Sequence, residues 1–61
     1  MITFKTKAEA IKFQEWANQN SPMLPILPNE PIEQDNVWIF ELSENITEEL
    51  IQEYYNKFTK K

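Results

Sequence analysis

The chain contains no cysteine, histidine, glycine or arginine among its 61 residues. Without cysteine or histidine it can form no disulfide and no thiolate or imidazole metal site. It also lacks the commonest general base and the thiol nucleophile of enzymes. Paired carboxylates remain, but acid–base catalysis needs a carboxyl group in an enclosed pocket, which so short a chain scarcely builds. We therefore expect no enzymatic activity and no cofactor.

The absence of glycine restricts the turns that the chain can make. Residues with positive φ are expected to be asparagine, the other residue type that tolerates the left-handed region. All six basic residues are lysine, and lysine, asparagine and isoleucine are frequent, as AT-rich codons produce. Such codon usage is typical of low-GC bacteria and their phages. The asparagines are Asn18, Asn20, Asn29, Asn36, Asn45 and Asn56.

The length predicts a single domain over residues 1–61. A chain this short buries little apolar surface, so its core stabilises the fold only marginally. Aromatic packing is the main supplement available, and association with a partner or a second copy is the other. No apolar run approaches the roughly 20 residues of a membrane span, and no signal-peptide pattern opens the chain. A cytoplasmic location is expected. The eight aromatic residues are Phe4, Phe13, Trp16, Trp38, Phe40, Tyr54, Tyr55 and Phe58.

The negative charge is concentrated in the middle of the chain. The net charge is −4, of which residues 21–50 contribute −7, while residues 1–20 contribute +1 and residues 51–61 contribute +2. No lysine lies between Phe13 and Asn56. Binding to nucleic acid needs the opposite distribution, because it depends on neutralising phosphates. The charge favours a partner with a basic surface instead.

The first half of the chain predicts a short strand and a helix. Ile2–Lys5 alternates apolar and polar residues, as a half-buried strand does. Thr6 and Glu9 match a capping box, so a helix is predicted from Lys7 to Asn18 or Gln19. Asn20 is expected to end it in the left-handed conformation, before Ser21-Pro22.

The second half predicts a loop, a strand and a helix. The polar run from Asn29 to Asn36 is predicted to be a loop. Residues 37–42 predict a strand covered on both faces, with Trp38, Phe40 and Leu42 towards the core. Thr47 is the predicted N-cap of the last helix, with a staple between Ile46 and Ile51 and an ion pair between Glu53 and Lys57.

These elements predict an α+β fold in the order β-α-(proline-rich segment)-β-α, with two helices packed on a two- or three-stranded sheet. The proline-rich segment has a proline at every third position: Pro22, Pro25, Pro28 and Pro31. Residues 23–27 are a candidate third strand, confined to an edge by Pro25. The PxxP spacing also matches ligands of SH3-type grooves, but the basic residue that such ligands carry is absent. A rigid crossover packed on Trp16 and Trp38 is the structural alternative.

The segment and the acidic stretch after it form the predicted partner-binding surface. Exposed apolar groups usually mark interfaces, and a dense display of carboxylates can imitate a nucleic-acid backbone. Three carboxylates within six residues could also hold a cation weakly, but they lack the calcium-loop pattern. No metal or cofactor site is therefore predicted. The predicted partner-binding residues are Met23, Leu24, Ile26, Leu27, Glu30, Glu33, Asp35 and Tyr55.

Two functions from different classes fit this pattern. The first is a small, acidic, non-enzymatic module that inhibits a larger host protein with a basic surface, encoded by a phage or a mobile element. It would contact neither nucleic acid nor membrane directly. The alternative is an assembly subunit that homo-oligomerises through the C-terminal helix, which carries Tyr54, Tyr55 and Phe58.

Overall fold

The computed structural model describes residues 2–22 and 26–60. The elements in chain order are helix α1 (Lys7–Gln19), strand β1 (Ile32–Gln34), strand β2 (Val37–Ile39) and helix α2 (Glu48–Thr59). The strands form a two-stranded antiparallel sheet, and α1 packs against both α2 and β2. The predicted small α+β fold is confirmed.

Both helices begin where the sequence predicts. The Thr6 hydroxyl accepts a hydrogen bond from the Glu9 N–H, and the Thr47 hydroxyl accepts one from the Leu50 N–H, each at 3.2 Å. These bonds satisfy backbone donors that have no partner within the helix. The predicted i,i+4 ion pair of α2 is also present, with 3.9 Å between Lys57 Nζ and Glu53 Oε1.

The end of α1 differs from the prediction. Asn20 has φ −98°, so the expected left-handed conformation was wrong. Its backbone N–H donates to the Trp16 carbonyl at 3.0 Å, and its side-chain amide donates to the same oxygen at 2.8 Å. Because the side chain helps to satisfy that carbonyl, the helix ends without a positive φ.

Phe13 lies at the centre of the core and is fully buried. Its ring centroid is 5.3 Å from Phe4 and 5.4 Å from Phe58. Phe40 and Tyr55 also contact it, at 6.1 and 5.8 Å. These contacts join α1, α2 and the sheet side of the molecule. The buried hydrophobic residues are Phe4, Ala10, Phe13, Ala17, Leu27, Phe40 and Ile51.

Among the described residues, aromatic rings of helix α2 cover the Trp16 side chain of α1. Tyr54 lies 6.2 Å and Phe58 lies 5.5 Å from the Trp16 ring, both edge-on. Tyr54 and Phe58 are one turn apart, on the face of α2 that points towards α1. The predicted cover of Trp16 by the proline-rich segment falls partly on residues 23–25, which lie outside the described residues.

The strands are shorter than predicted, and one was missed. Residues 2–5 contribute only a single antiparallel bridge, between Phe4 and Trp38, and β2 ends at Ile39 rather than at residue 42. The prediction of a loop from residue 29 to residue 36 was wrong, because it contains β1. No strand is formed by Ile26 and Leu27, and the rest of the candidate third strand, residues 23–25, lies outside the described residues.

A two-residue turn joins β1 to β2. Asp35 has φ 54° and Asn36 has φ 67°, the two positive values that a type I′ hairpin turn requires. The expectation that positive φ falls on asparagine holds for Asn36 but not for Asp35. An aspartate tolerates this region for the same reason, because its short polar side chain can bond locally to the backbone.

Replacing Asn36 with valine is expected to destabilise the fold by about 1–2 kcal/mol, because a Cβ-branched residue is disfavoured in the left-handed region. In a domain of this size, each kcal/mol lost from the free energy of unfolding lowers the melting temperature by about 4–8 °C. Thermal unfolding followed by circular dichroism measures it. The matched control is Asn36→Gly, which suits the turn and is expected to keep or raise the melting temperature. Equal stability of the two variants would contradict the turn geometry.

Candidate protein-binding surface

The hairpin of β1 and β2 presents one face to the helices and one face to the outside. Opposite residues of an antiparallel pair share a face, so Glu33 and Trp38 lie on the same side as Phe4, which contacts Phe13. The Lys7 ammonium lies 5.7 Å above the Trp38 ring, which places that ring on the helix side as well. The pairs Ile32–Ile39 and Gln34–Val37 therefore occupy the outer face.

The outer face is apolar and only partly covered. Ile32 is 46% exposed, and with Leu42 it is one of the large hydrophobic residues that are exposed in the described part of the chain. Val37 and Ile39 are half-buried, but neither packs against the core cluster. The prediction that this strand is covered on both faces thus fails on the outer face. Ile32, Val37 and Ile39 are called the outer aliphatic patch below.

Exposed carboxylates lie along the hairpin and in the residues next to it, although the Glu33 side chain is on the helix side of the sheet and not on the face of the patch. Glu30, Glu33 and Asp35 are all exposed, and the described lysines form no ion pair with them. Glu41 and Glu44 continue the same charge beyond β2 and are also exposed. Because no lysine lies between Phe13 and Asn56, no nearby cation in the sequence offsets this charge. The hairpin therefore combines an exposed aliphatic face with exposed carboxylates, and Lys7, over the Trp38 ring, is a cation on the helix side of the sheet.

Two amide side chains of α1 attach the proline-rich segment to the fold at Leu27. Asn18 accepts a hydrogen bond from the Leu27 N–H at 2.9 Å and donates to the Leu27 carbonyl at 3.2 Å. Gln14 donates to the same carbonyl at 2.7 Å and to the Asn29 carbonyl at 3.0 Å. The segment that leads into β1 is thereby fixed to α1 through its backbone, although it belongs to no strand.

The predicted binding residues of this segment have different positions. Leu27 is only 2% exposed and belongs to the core. Its side chain therefore anchors the segment to the core and is not available to a partner. Ile26 is half-buried and packs against the core. Met23 and Leu24 lie outside the described residues.

Tyr55 lies apart from the outer aliphatic patch. It is half-buried, with its ring 5.8 Å from Phe4 and 5.8 Å from Phe13. It lines an open groove of about 230 Å³ between the helices, together with Phe58, Glu9 and Lys12. A residue that packs on Phe4 lies on the helix side of the sheet, whereas the patch is on the outer side. The structure therefore does not bring Tyr55 and the patch onto one surface.

Other kinds of site find little support in the geometry. Within residues 2–22 and 26–60, no three acidic side chains come together in a way that could hold a metal ion. Over the same residues, neither helix has the length and apolar character needed to cross a bilayer.

The sequence predicted Glu30, Glu33 and Asp35 as binding residues but not Ile32 or the strand that carries it. A signal was present, because Asp35-Asn36 is a two-residue turn sequence and Ile32 and Ile39 flank it symmetrically. Pro31 and the three polar residues after Ile32 concealed it, since they match a loop equally well.

Comparison with models of known protein families, with characterised proteins and with solved structures gives no significant match.

Replacing Asn18 with alanine is expected to destabilise the protein by about 1–3 kcal/mol, because it leaves the partly buried Leu27 N–H without its acceptor. Urea unfolding followed by tryptophan fluorescence measures this loss. The control is Gln52→Ala, which removes an exposed amide hydrogen bond to Asn56 and should cost about 0.5 kcal/mol or less. A cost for Asn18→Ala no larger than the control would show that the segment is held by other contacts.

Proposed function

We propose that this protein is a small non-enzymatic binding module that occupies a basic surface of a larger protein. The observation that carries the proposal is the hairpin, which has the outer aliphatic patch on one face and the exposed carboxylates of Glu30, Glu33 and Asp35 along its length and beside it. Among the described residues, no lysine forms an ion pair with these three carboxylates. Exposed apolar surface of this kind contributes affinity, while the charge contributes steering and the choice of partner.

A protein partner explains the surface better than a nucleic acid does. Phosphates would be repelled by the exposed carboxylates, and no lysine lies between Phe13 and Asn56 to neutralise them. The tyrosine rings, which are the candidates for stacking on bases, contact other rings within the chain: Tyr54 contacts Trp16, and Tyr55 contacts Phe4 and Phe13.

The finer form of the proposal is an inhibitor of a bacterial protein, encoded by a phage or a mobile element and acting in the cytoplasm. It is supported by the AT-rich residue usage, by the small size and by the acidic surface, which would block a groove built for polyanions.

The alternative is an assembly subunit that self-associates through α2. The contacts of α2 weigh against it, because Tyr54, Tyr55 and Phe58 are only half-exposed and direct ring contacts to Trp16, Phe4 and Phe13 within the chain. Light scattering over a concentration series separates the two functions. A monomer at micromolar concentration supports the binding module, and a concentration-dependent oligomer supports the alternative.

The acidic surface is tested by a triple variant, Glu30→Gln, Glu33→Gln and Asp35→Asn, used as bait in a pull-down from bacterial lysate. Partners captured by the wild-type protein are expected to be retained about threefold to a hundredfold less well. The estimate takes three exposed ion pairs at about 0.2–1 kcal/mol each. Wild-type capture should also weaken between about 0.01 M and 1 M salt, where the Debye length falls from about 30 to about 3 Å.

The matched control is Glu9→Gln, Glu15→Gln and Glu53→Gln, three exposed carboxylates on the helices. Both variants change the net charge from −4 to −1, since three negative charges are removed. Capture should survive in the control. Equal loss in both variants, or equal capture by both at either salt concentration, would contradict a binding role for the hairpin carboxylates.

A further inference from the structure

Among the residues that the structure describes, none pairs with the outer edge of strand β1. The hydrogen bonds of β2 show which residue is exposed at that edge. Trp38 donates its N–H to the Phe4 carbonyl at 2.7 Å and accepts from the Phe4 N–H at 2.9 Å. Both backbone groups of Trp38 thus face away from β1. In an antiparallel pair, the residue opposite such a position also directs its N–H and C=O outward. That residue is Glu33.

Glu33 therefore presents three groups to the free edge of the sheet. Its backbone N–H and C=O point along the hydrogen-bonding direction, and its carboxylate is exposed beside them. An extended segment laid along β1 would place one residue opposite Glu33, where the two residues exchange both backbone hydrogen bonds. A lysine or arginine at that position would lie next to the carboxylate, because opposite side chains share a face.

The residues flanking that position would meet different chemistry. They would lie opposite Ile32 and Gln34, on the outer face of the sheet. An aliphatic side chain opposite Ile32 would extend the outer aliphatic patch and cover the isoleucine that is now 46% exposed. The edge of β1 therefore favours a partner segment in which apolar and basic residues alternate.

A second copy of this chain suits the edge poorly. If two β1 strands paired about a two-fold axis at Glu33, the two Glu33 carboxylates would stand directly opposite each other, which is destabilising. Glu30 and Asp35 flank the strand and add further like charge. Charges at an edge strand commonly prevent self-pairing in this way.

We propose that β1 receives an extended segment of the partner as an additional strand, with a basic residue paired to Glu33 and an aliphatic residue beside Ile32. This inference rests on the proposed function and names how the partner is bound. The short edge, three residues long, means that the paired segment contributes only part of the binding.

The probe is a capped Thr-Ile-Lys-Ile-Thr peptide titrated into the isotopically labelled protein, with backbone amide shifts recorded by NMR. We expect shift changes centred on Ile32–Gln34, with the Glu33 amide moving downfield as it gains an acceptor. A Thr-Ile-Glu-Ile-Thr peptide should bind at least about threefold more weakly. Glu33→Lys should reverse this preference, because it exchanges the sign of the ion pair.

A peptide N-methylated at its lysine amide separates strand pairing from simple ionic attraction. It keeps the charge but loses one backbone hydrogen bond, so it should bind about fivefold more weakly or worse. Equal binding of the methylated peptide, or shift changes centred on the groove at Tyr55, would overturn strand addition. Self-association of the protein through β1 at the concentration used would overturn it as well.

The two proposals can fail separately. If the methylated peptide binds equally but lysate capture still depends on the hairpin carboxylates, strand addition is wrong and the acidic binding surface stands. If capture does not depend on those carboxylates, the proposed function itself is wrong.

Discussion

The reciprocal hydrogen bonds between Phe4 and Trp38 determine how the rest of this small structure is arranged. They join the N-terminal residues to the hairpin across more than 30 positions of sequence, with distances of 2.7 and 2.9 Å. They place Phe4 on the helix side of the sheet, where its ring contacts Phe13, Phe40 and Tyr55. Both backbone groups of Trp38 bond to Phe4 and so point away from β1. The N–H and C=O of Glu33, which lies opposite Trp38, therefore point towards the outer edge of β1.

The core follows from this arrangement and from the composition. With no disulfide, and with too few residues for a large core, the chain relies on aromatic rings that contact one another around Phe13. Ring pairs in tilted and edge-on geometries add about 0.5–1.5 kcal/mol each beyond the area that they bury. The polar contribution comes from Asn18 and Gln14, which bind the backbone at Leu27 and so fix residues 26–31, which belong to no strand, to α1.

The parts of the fold that depend on local sequence could be predicted. Thr6 and Thr47 begin helices because capping is decided within one turn. The apolar face of α2 is predicted by the helical spacing of Leu50, Ile51, Tyr54 and Phe58. The hairpin could not be predicted as readily, because β1 is only three residues long and its pairing is decided by the turn at Asp35-Asn36. The burial of Leu27 was missed for a similar reason, since it depends on amides that lie 9 and 13 positions earlier in the chain.

Strand addition at β1 depends on the outward orientation of the Glu33 backbone, and amide hydrogen exchange of the free protein tests this orientation directly. We predict that the Glu33 amide exchanges at nearly the rate of an unstructured peptide, whereas those of Trp38 and Ile32 are protected by their partners in the sheet. Protection of Glu33 equal to that of Trp38 would contradict the account, because it would mean that the edge of β1 is already occupied.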